Sequence, residues 1–72
     1  MNAMISVVIA EDSPIVRMGL KLSLDDFENI RIIGEAQNGA GVRELLRRQA
    51  PDILLLDADL SGSGSLEIMQ HV

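Results

Sequence analysis

The 72-residue chain has no cysteine, tryptophan, tyrosine or threonine, and Phe27 is its single aromatic residue. Without cysteine, neither a disulfide framework nor a cysteine zinc site can form. The single histidine cannot build a histidine metal cluster. The longest uninterrupted apolar runs extend from Val7 to Ala10 and from Ile53 to Leu56, and both are far too short to span a bilayer. We therefore expect no membrane segment.

Basic residues are also scarce. Eleven acidic residues against six basic ones give a net charge of −5, and a nucleic-acid-binding surface needs a basic footprint. The start of the chain carries no basic residue and soon reaches Glu11 and Asp12, unlike a secretory signal. A cytoplasmic protein that does not itself bind nucleic acid is the expectation.

Size sets a further constraint, because a chain this short allows one domain at most. A domain of about 60 residues buries only about 60% of the surface that its unfolded chain exposes, so its stability is marginal. Such chains usually contain disulfides, a metal or a partner. This chain either packs with aliphatic side chains alone or belongs to something larger, and the sequence leaves both readings open.

What is present is an alternation of apolar runs and amphipathic segments. Residues 6–10, 30–36 and 53–56 predict three short strands, and the first and third have apolar residues for both faces, as in parallel sheets. Residues 65–72 predict a last helix that follows a flexible Gly/Ser turn. Together with two helices between the strands, the order is β-α-β-α-β-α, which implies a parallel sheet with right-handed crossovers.

The two intervening helices have recognisable starts and ends. Ser13 followed by Pro14 is an N-cap with proline in the first helical position. An apolar stripe at spacings of three and four follows, and it predicts the buried face; its residues are Ile15, Met18 and Leu22, widened by Leu20 and Leu24. The second helix follows the Asn-Gly turn at 38–39 and ends before Pro51, with its arginines on the wetter side.

Carboxylates follow the first and third predicted strands. Glu11 and Asp12 come after the first, and Asp57 and Asp59 come after the third. Each of these residues alone is more often a turn former or helix cap. In an open parallel sheet, however, ligands bind at the carboxyl ends of strands, and the first and third strands are expected to be neighbours. Carboxylates brought together there repel each other unless a cation intervenes, and Mg²⁺ is the expected one.

Four stretches of the chain resemble the receiver domain of bacterial response regulators. They are Val-Val-Ile-Ala-Glu-Asp-Ser-Pro at 7–14, Arg-Met-Gly-Leu at 17–20, Gly-Glu-Ala-Gln-Asn-Gly at 34–39 and Pro-Asp-Ile-Leu-Leu-Leu-Asp at 51–57. The resemblance is strongest to the subfamily whose output is a LuxR-type helix-turn-helix. It implies a flavodoxin-like sheet with strand order 2-1-3, in which residues 1–72 form one partial receiver domain that lacks the last two strands and the output domain.

The resemblance also implies a role for each acidic residue. Asp57 matches the phosphoacceptor, Asp12 and Glu11 match the carboxylates that hold Mg²⁺, and Asp59 matches the position whose backbone carbonyl binds the metal. The implied partner is a sensor histidine kinase, with control of transcription through DNA contacts made only by the output domain. Such a chain is not a conventional enzyme, since it catalyses at most its own phosphorylation.

Three alternative interpretations remain to be compared with this one. A partial receiver could act as a homodimerisation module without phosphotransfer, because its third strand would be an exposed, apolar sheet edge. Residues 57–62 imitate the start of an EF-hand loop, but Ile68 occupies its twelfth position. Residues 34–39 have the glycine spacing of a phosphate loop, but Ala40 replaces the lysine.

Overall fold

A computed structural model of the chain describes residues 3–57 and residue 60. The elements in chain order are β1 (Ile5–Ala10), α1 (Pro14–Asp25), β2 (Ile30–Ala36), α2 (Gly39–Arg48) and β3 (Ile53–Leu56). The predicted strands and the first two helices are confirmed, with β1 beginning one residue earlier than expected. The helix predicted over residues 65–72 lies outside the described residues.

The three described strands form one parallel sheet in the order β2-β1-β3. The predicted fold class and strand order are therefore confirmed. β1 lies in the centre, and Val7, Val8, Ile9 and Ala10 are each at most 1% exposed. β3 has a strand neighbour on one side only within residues 3–57 and 60, and Ile53 at its start is 42% exposed. The burial predicted for both faces is therefore realised fully in β1 and only partly in β3.

Helix α2 covers one face of the sheet and completes the buried core there. Val42 is fully buried and packs with Ala10, Ala36 and Leu60. The helix begins where predicted, because the Asn38 side chain accepts a hydrogen bond of 2.8 Å from the backbone N–H of Gly41. Aliphatic side chains alone form this core cluster.

Helix α1 packs with a different side from the one that its apolar spacing predicts. The predicted buried residues Ile15, Met18 and Leu22 are 83%, 63% and 66% exposed, and Leu20 and Leu24 are the partly buried ones. The prediction was therefore wrong for Ile15, Met18 and Leu22, whereas the two residues that widen the predicted stripe do lie on the partly buried side. Its physical reason is that α1 is apolar on two sides, and spacing alone does not tell which side meets the sheet.

The pairing of β1 with β2 contains an irregularity. Val7 pairs with Ile32 while Val8 pairs with Gly34, so Ile33 is an extra residue in β2. This is a β-bulge, which leaves one residue without a ladder partner. The carbonyl oxygen of Ile33 accepts a hydrogen bond of 3.3 Å from the side-chain nitrogen of Gln49 instead. The bulge is thus satisfied by the residue that caps α2.

Ser6 and Asp52 fasten the beginning of β3 to β1. The Asp52 carboxylate accepts hydrogen bonds from the Ser6 backbone N–H at 2.8 Å and from the Ser6 hydroxyl at 3.1 Å. The Asp52 backbone N–H lies 3.0 Å from the Ser6 hydroxyl oxygen in return. These bonds to the charged carboxylate hold the pKa of Asp52 below its usual value, the backbone donor having the larger effect and the hydroxyl the smaller.

Within residues 3–57 and 60, no helix has the length and apolar character needed to cross a membrane.

The Ser6–Asp52 pair predicts a stability that depends on pH. Because the pKa of Asp52 is lowered on folding, its contribution is present above its unfolded value of 3.8 and is lost as pH falls through the folded value. We expect Asp52→Asn to lower the free energy of unfolding at pH 7, with a difference from the unchanged chain that shrinks below about pH 4. Urea denaturation followed by circular dichroism measures this, and Glu28→Gln, on an exposed loop residue, is the charge-matched control. A difference that persists unchanged at low pH would contradict the assignment.

Candidate metal centre

Three acidic side chains meet at the carboxyl ends of β1 and β3. Glu11 and Asp12 follow β1, and Asp57 follows β3. The last residues of the two strands, Ala10 and Leu56, are register partners, and the backbone N–H of Asp57 continues the pairing by donating to the carbonyl of Ala10 at 3.0 Å. The strand pairing therefore carries Asp57 to the same sheet edge as the two residues after β1.

Glu11, Asp12 and Asp57 form what we call the acidic cluster. One carboxylate oxygen from each residue lies within 4.8 Å of the others. Glu11 is buried with 8% of its surface exposed, Asp57 is half-buried and Asp12 is exposed. The sequence prediction that these three residues come together is thus confirmed by the geometry. Asp59, the fourth predicted site residue, lies outside the described residues.

The electrostatics of the acidic cluster are unfavourable to three negative charges. A hydrogen bond with the Asp57 side chain raises the pKa of Glu11 above its ordinary value, and burial and the charges of Asp57 and Asp12 raise it further. A backbone hydrogen bond from Ser13 acts in the opposite direction. Since a hydrogen bond between two carboxyl groups needs a proton, the cluster without a cation favours keeping one.

The main chain around Glu11 is held on both sides. Its N–H donates to the carbonyl of Ala36 in β2 at 3.0 Å, and its carbonyl accepts a hydrogen bond of 2.7 Å from Nη1 of Arg17 in α1. Sequence reasoning used Arg17 only as part of a matching stretch and assigned it no role. The available signal was its spacing: Arg17 lies three and seven residues before Leu20 and Leu24, on one side of the predicted helix.

A cavity of about 310 Å³ opens beside the acidic cluster. Glu11 and Asp57 line one part of it, and Val16, Leu20 and Leu55 provide apolar walls. A small anionic group could enter this space only beside carboxylates that repel it, so a cation at the cluster would be needed to admit one.

The donor atoms fit a hard divalent cation. All the side-chain donors of the acidic cluster are carboxylate oxygens, which Mg²⁺ and Ca²⁺ prefer, and no histidine or cysteine is among them. The EF-hand alternative gains no support, because Asp57 follows a strand and not the entering helix that such a loop requires. The glycines at 34 and 39 belong to the end of β2 and to the first position of α2.

Comparison with known proteins places this arrangement in a family. A model of the response regulator receiver domain matches residues 7–72. The chain is 33% identical over 69 residues to the response regulator UvrY of Escherichia coli strain K12, and the aligned residues cover 96% of the chain and 32% of the relative. It is 36% identical over 64 residues to the response regulator GacA of Pseudomonas aeruginosa, covering 89% of the chain and 30% of the relative.

A solved structure shows the same architecture. The signal receiver domain of the response regulator NarL of Mycobacterium tuberculosis superimposes with a TM-score of 0.86 at 30% identity, covering 93% of this chain and 54% of that one. The chain spans about a third of the length of the curated relatives that it matches.

The raised pKa of Glu11 predicts that its charge costs stability in the metal-free chain. A carboxyl whose pKa is higher in the folded state contributes stability below its unfolded value of 4.5, and this contribution is lost as pH rises through the folded value. We expect Glu11→Gln to raise the Tm at pH 7 in the presence of EDTA, with a difference that disappears below about pH 4.5. Added Mg²⁺ should raise the Tm of the unchanged chain and leave that of the variant nearly constant. Thermal denaturation followed by circular dichroism measures both effects, and an unchanged or lower Tm of Glu11→Gln in EDTA would contradict them.

Proposed function

This chain belongs to the response regulator receiver domain family, and from that premise we propose that it accepts a phosphoryl group on Asp57 in a two-component signalling pathway. The observation that carries the proposal is the meeting of Asp57 with Glu11 and Asp12 at the carboxyl ends of two adjacent parallel strands. An isolated carboxylate after a strand is weak support for such chemistry, whereas three convergent ones, among which the pKa of Glu11 is raised by its neighbours, are stronger support.

We propose that Mg²⁺ is the cation of the acidic cluster. Asp12 and Glu11 would hold it together with Asp57, and the backbone carbonyl of Asp59 is the further ligand that the family resemblance implies. When bound, Mg²⁺ supplies positive charge that offsets the repulsion between a carboxylate nucleophile and an anionic phosphoryl donor. The all-oxygen donor set supports this choice.

The chemical step needs little from the protein beyond positioning. A carboxylate oxygen of Asp57 attacks the phosphorus atom, the bond between phosphorus and the donor atom breaks, and the product is an acyl phosphate on Asp57. The donor leaves with the electron pair of that bond and takes up a proton. Since the chain itself is modified and not regenerated within the step, it acts as a self-catalysing acceptor and not as a conventional enzyme.

A sensor histidine kinase is the donor that we propose. The exposed stripe of α1, made of Ile15, Met18 and Leu22, begins three residues after Asp12. A contiguous apolar surface of this kind is typical of a protein-interaction site. Its position next to the acidic cluster suits a partner that must bring a phosphorylated side chain to Asp57.

The output that we propose is control of transcription by a cytoplasmic regulator. A relative that is 31% identical over 68 residues is named as a transcriptional regulatory protein, NarL of Mycobacterium tuberculosis. The net charge of −5 is unsuited to DNA contacts by this chain itself. DNA binding would therefore belong to an output domain, with the added charge on Asp57 shifting a two-state surface of the receiver.

A second candidate function is self-association through β3. Within residues 3–57 and 60, the outer edge of β3 has no strand beside it, and Ile53 is 42% exposed. An unpaired apolar edge is a template for pairing with another chain. Two copies joined there would form a homodimerisation module that needs neither Mg²⁺ nor phosphotransfer.

Phosphorylation of Asp57 is tested with a small donor such as acetyl phosphate in the presence of Mg²⁺. We expect mass spectrometry to show a gain of one phosphoryl group in the unchanged chain, no gain in Asp57→Asn, and no gain when EDTA replaces Mg²⁺. The control Glu28→Gln, on an exposed loop residue, should gain the same mass as the unchanged chain. Equal gain in the unchanged chain and in Asp57→Asn, or none in either while circular dichroism shows both folded, would overturn the proposal.

Edge pairing is tested by sedimentation velocity across a range of concentrations, with Mg²⁺ and with EDTA. If β3 pairs between copies, we expect a dimer in both conditions that Ile53→Lys abolishes, because a charged side chain on an edge strand opposes pairing. The matched variant Met18→Lys, on the exposed stripe of α1, should leave that dimer intact. A single monomer boundary at every concentration would rule out this second candidate.

A further inference from the structure

We propose that Arg17 is a positioning residue for the acidic cluster. In this proposal the bulge in β2 turns Glu35 toward α1, where Glu35 pairs with Arg17 and holds it beside Glu11. This inference rests on the proposed function, because it concerns how the chain holds Glu11 for the cation. Arg17 touches the backbone of Glu11 and none of the carboxylates of the cluster. The proposed role of Arg17 is therefore to hold the backbone of Glu11 and not to bind the cation.

The bulge decides on which face of the sheet Glu35 lies. Side chains alternate along a strand, so an extra residue moves every later side chain to the opposite face. With Ile33 inserted, Glu35 pairs with Ile9. Without it, Glu35 would pair with Ala10, a member of the core cluster under α2. The bulge therefore turns a carboxylate away from the apolar core and toward α1.

Glu35 meets two basic residues of α1 on that face. Its Oε1 lies 3.7 Å from Nε of Arg17, and its Oε2 lies 3.0 Å from Nζ of Lys21. The Arg17 side chain is 18% exposed, against 48% for that of Lys21. Arg17 is thus the more enclosed of the two. Of these two basic residues, only Arg17 also contacts the acidic cluster, through its 2.7 Å hydrogen bond to the Glu11 carbonyl.

The bulge is itself held by two contacts from the other side of the sheet. Gln49 donates to the carbonyl of Ile33, and the side chain of Leu45 packs directly over Gly34, where an added Cβ would lie only 3.1 Å from it. Because both contacts fix the irregular backbone, the direction of Glu35 is determined by packing and not by its ion pairs alone.

The hydrogen bonds that restrain the backbone of Glu11 matter because the carboxylates of the acidic cluster repel one another. The repulsion among Glu11, Asp12 and Asp57 would move the segment between β1 and α1 outward if it could yield. The Glu11 N–H is held by Ala36 and its carbonyl by Arg17, so the segment is anchored to both β2 and α1. A cluster kept close in this way presents its oxygens to a cation without a further ordering cost.

The Mg²⁺ affinity of an Arg17 variant distinguishes a positioning role from a simple electrostatic one, because the two roles predict changes in affinity of opposite sign. Loss of a nearby positive charge should strengthen cation binding, whereas loss of a positioning residue should weaken it. We expect isothermal titration of the full 72-residue chain with MgCl₂ to show binding about tenfold weaker in Arg17→Gln, at the lower end of what loss of a supporting contact costs a metal site. Lys21→Gln makes the same charge change on the same helix and should bind Mg²⁺ as tightly as the unchanged chain, or more tightly.

Each outcome decides between a positioning role and a simple electrostatic role of Arg17. Arg17→Gln that is folded and binds Mg²⁺ as tightly as the unchanged chain, or equal weakening in Arg17→Gln and Lys21→Gln, would overturn the inference and leave the proposed function intact. If Arg17→Gln does not fold, Arg17→Lys takes its place, because it keeps the positive charge and loses the Nη1 donor to the Glu11 carbonyl: severalfold weaker binding supports the inference, and unchanged binding overturns it. Absence of Mg²⁺ binding by the unchanged chain would overturn the proposed function and this inference together.

Discussion

The parallel pairing of β1 with β3 is the constraint on which the candidate site depends. Ser6 and Asp52 fasten the pair at its beginning, and the bond from Asp57 to Ala10 extends it past the last strand residue. A slip of this register by one residue would turn Asp57 to the other face of the sheet. The carboxylates after the two strands therefore meet because the backbone hydrogen bonds between β1 and β3 fix where both strands end.

The negative charges that meet in the acidic cluster are incompletely compensated by positive groups. The pKa of Glu11 is raised chiefly by its hydrogen bond with Asp57, so the folded chain holds a proton more readily than a free carboxyl does at the place where a cation could bind. A proton and a cation would compete for the same carboxylate oxygens, whereas a bound cation would favour the entry of a phosphoryl group. Protonation and cation binding at the site would therefore both be coupled to the stability of the same strand ends.

Sequence reasoning found the strands, the helix starts and the acidic cluster, because each has a local or topological signature. Short apolar runs mark the strands, Ser13 and Asn38 mark the helix starts, and the rule for parallel sheets brings Glu11 and Asp57 together. It failed on the orientation of α1, since a helix that is apolar on two sides fits either way. It also could not find the bulge at Ile33, because a bulge is defined by its partner strand and not by its own residues.

The orientation of α1 that spacing did not predict gives the helix two distinct uses. Its inward side carries Arg17 to the backbone of Glu11 and to Glu35, and its outward side exposes Ile15 and Met18. Had the outward residues packed on the sheet, Arg17 would have faced solvent, and the Glu11 carbonyl would have lost its donor. The exposed apolar surface and the anchoring of Glu11 therefore follow from a single rotation of α1 about its axis. Any change that rotates this helix would alter the proposed partner binding and the proposed cation binding together.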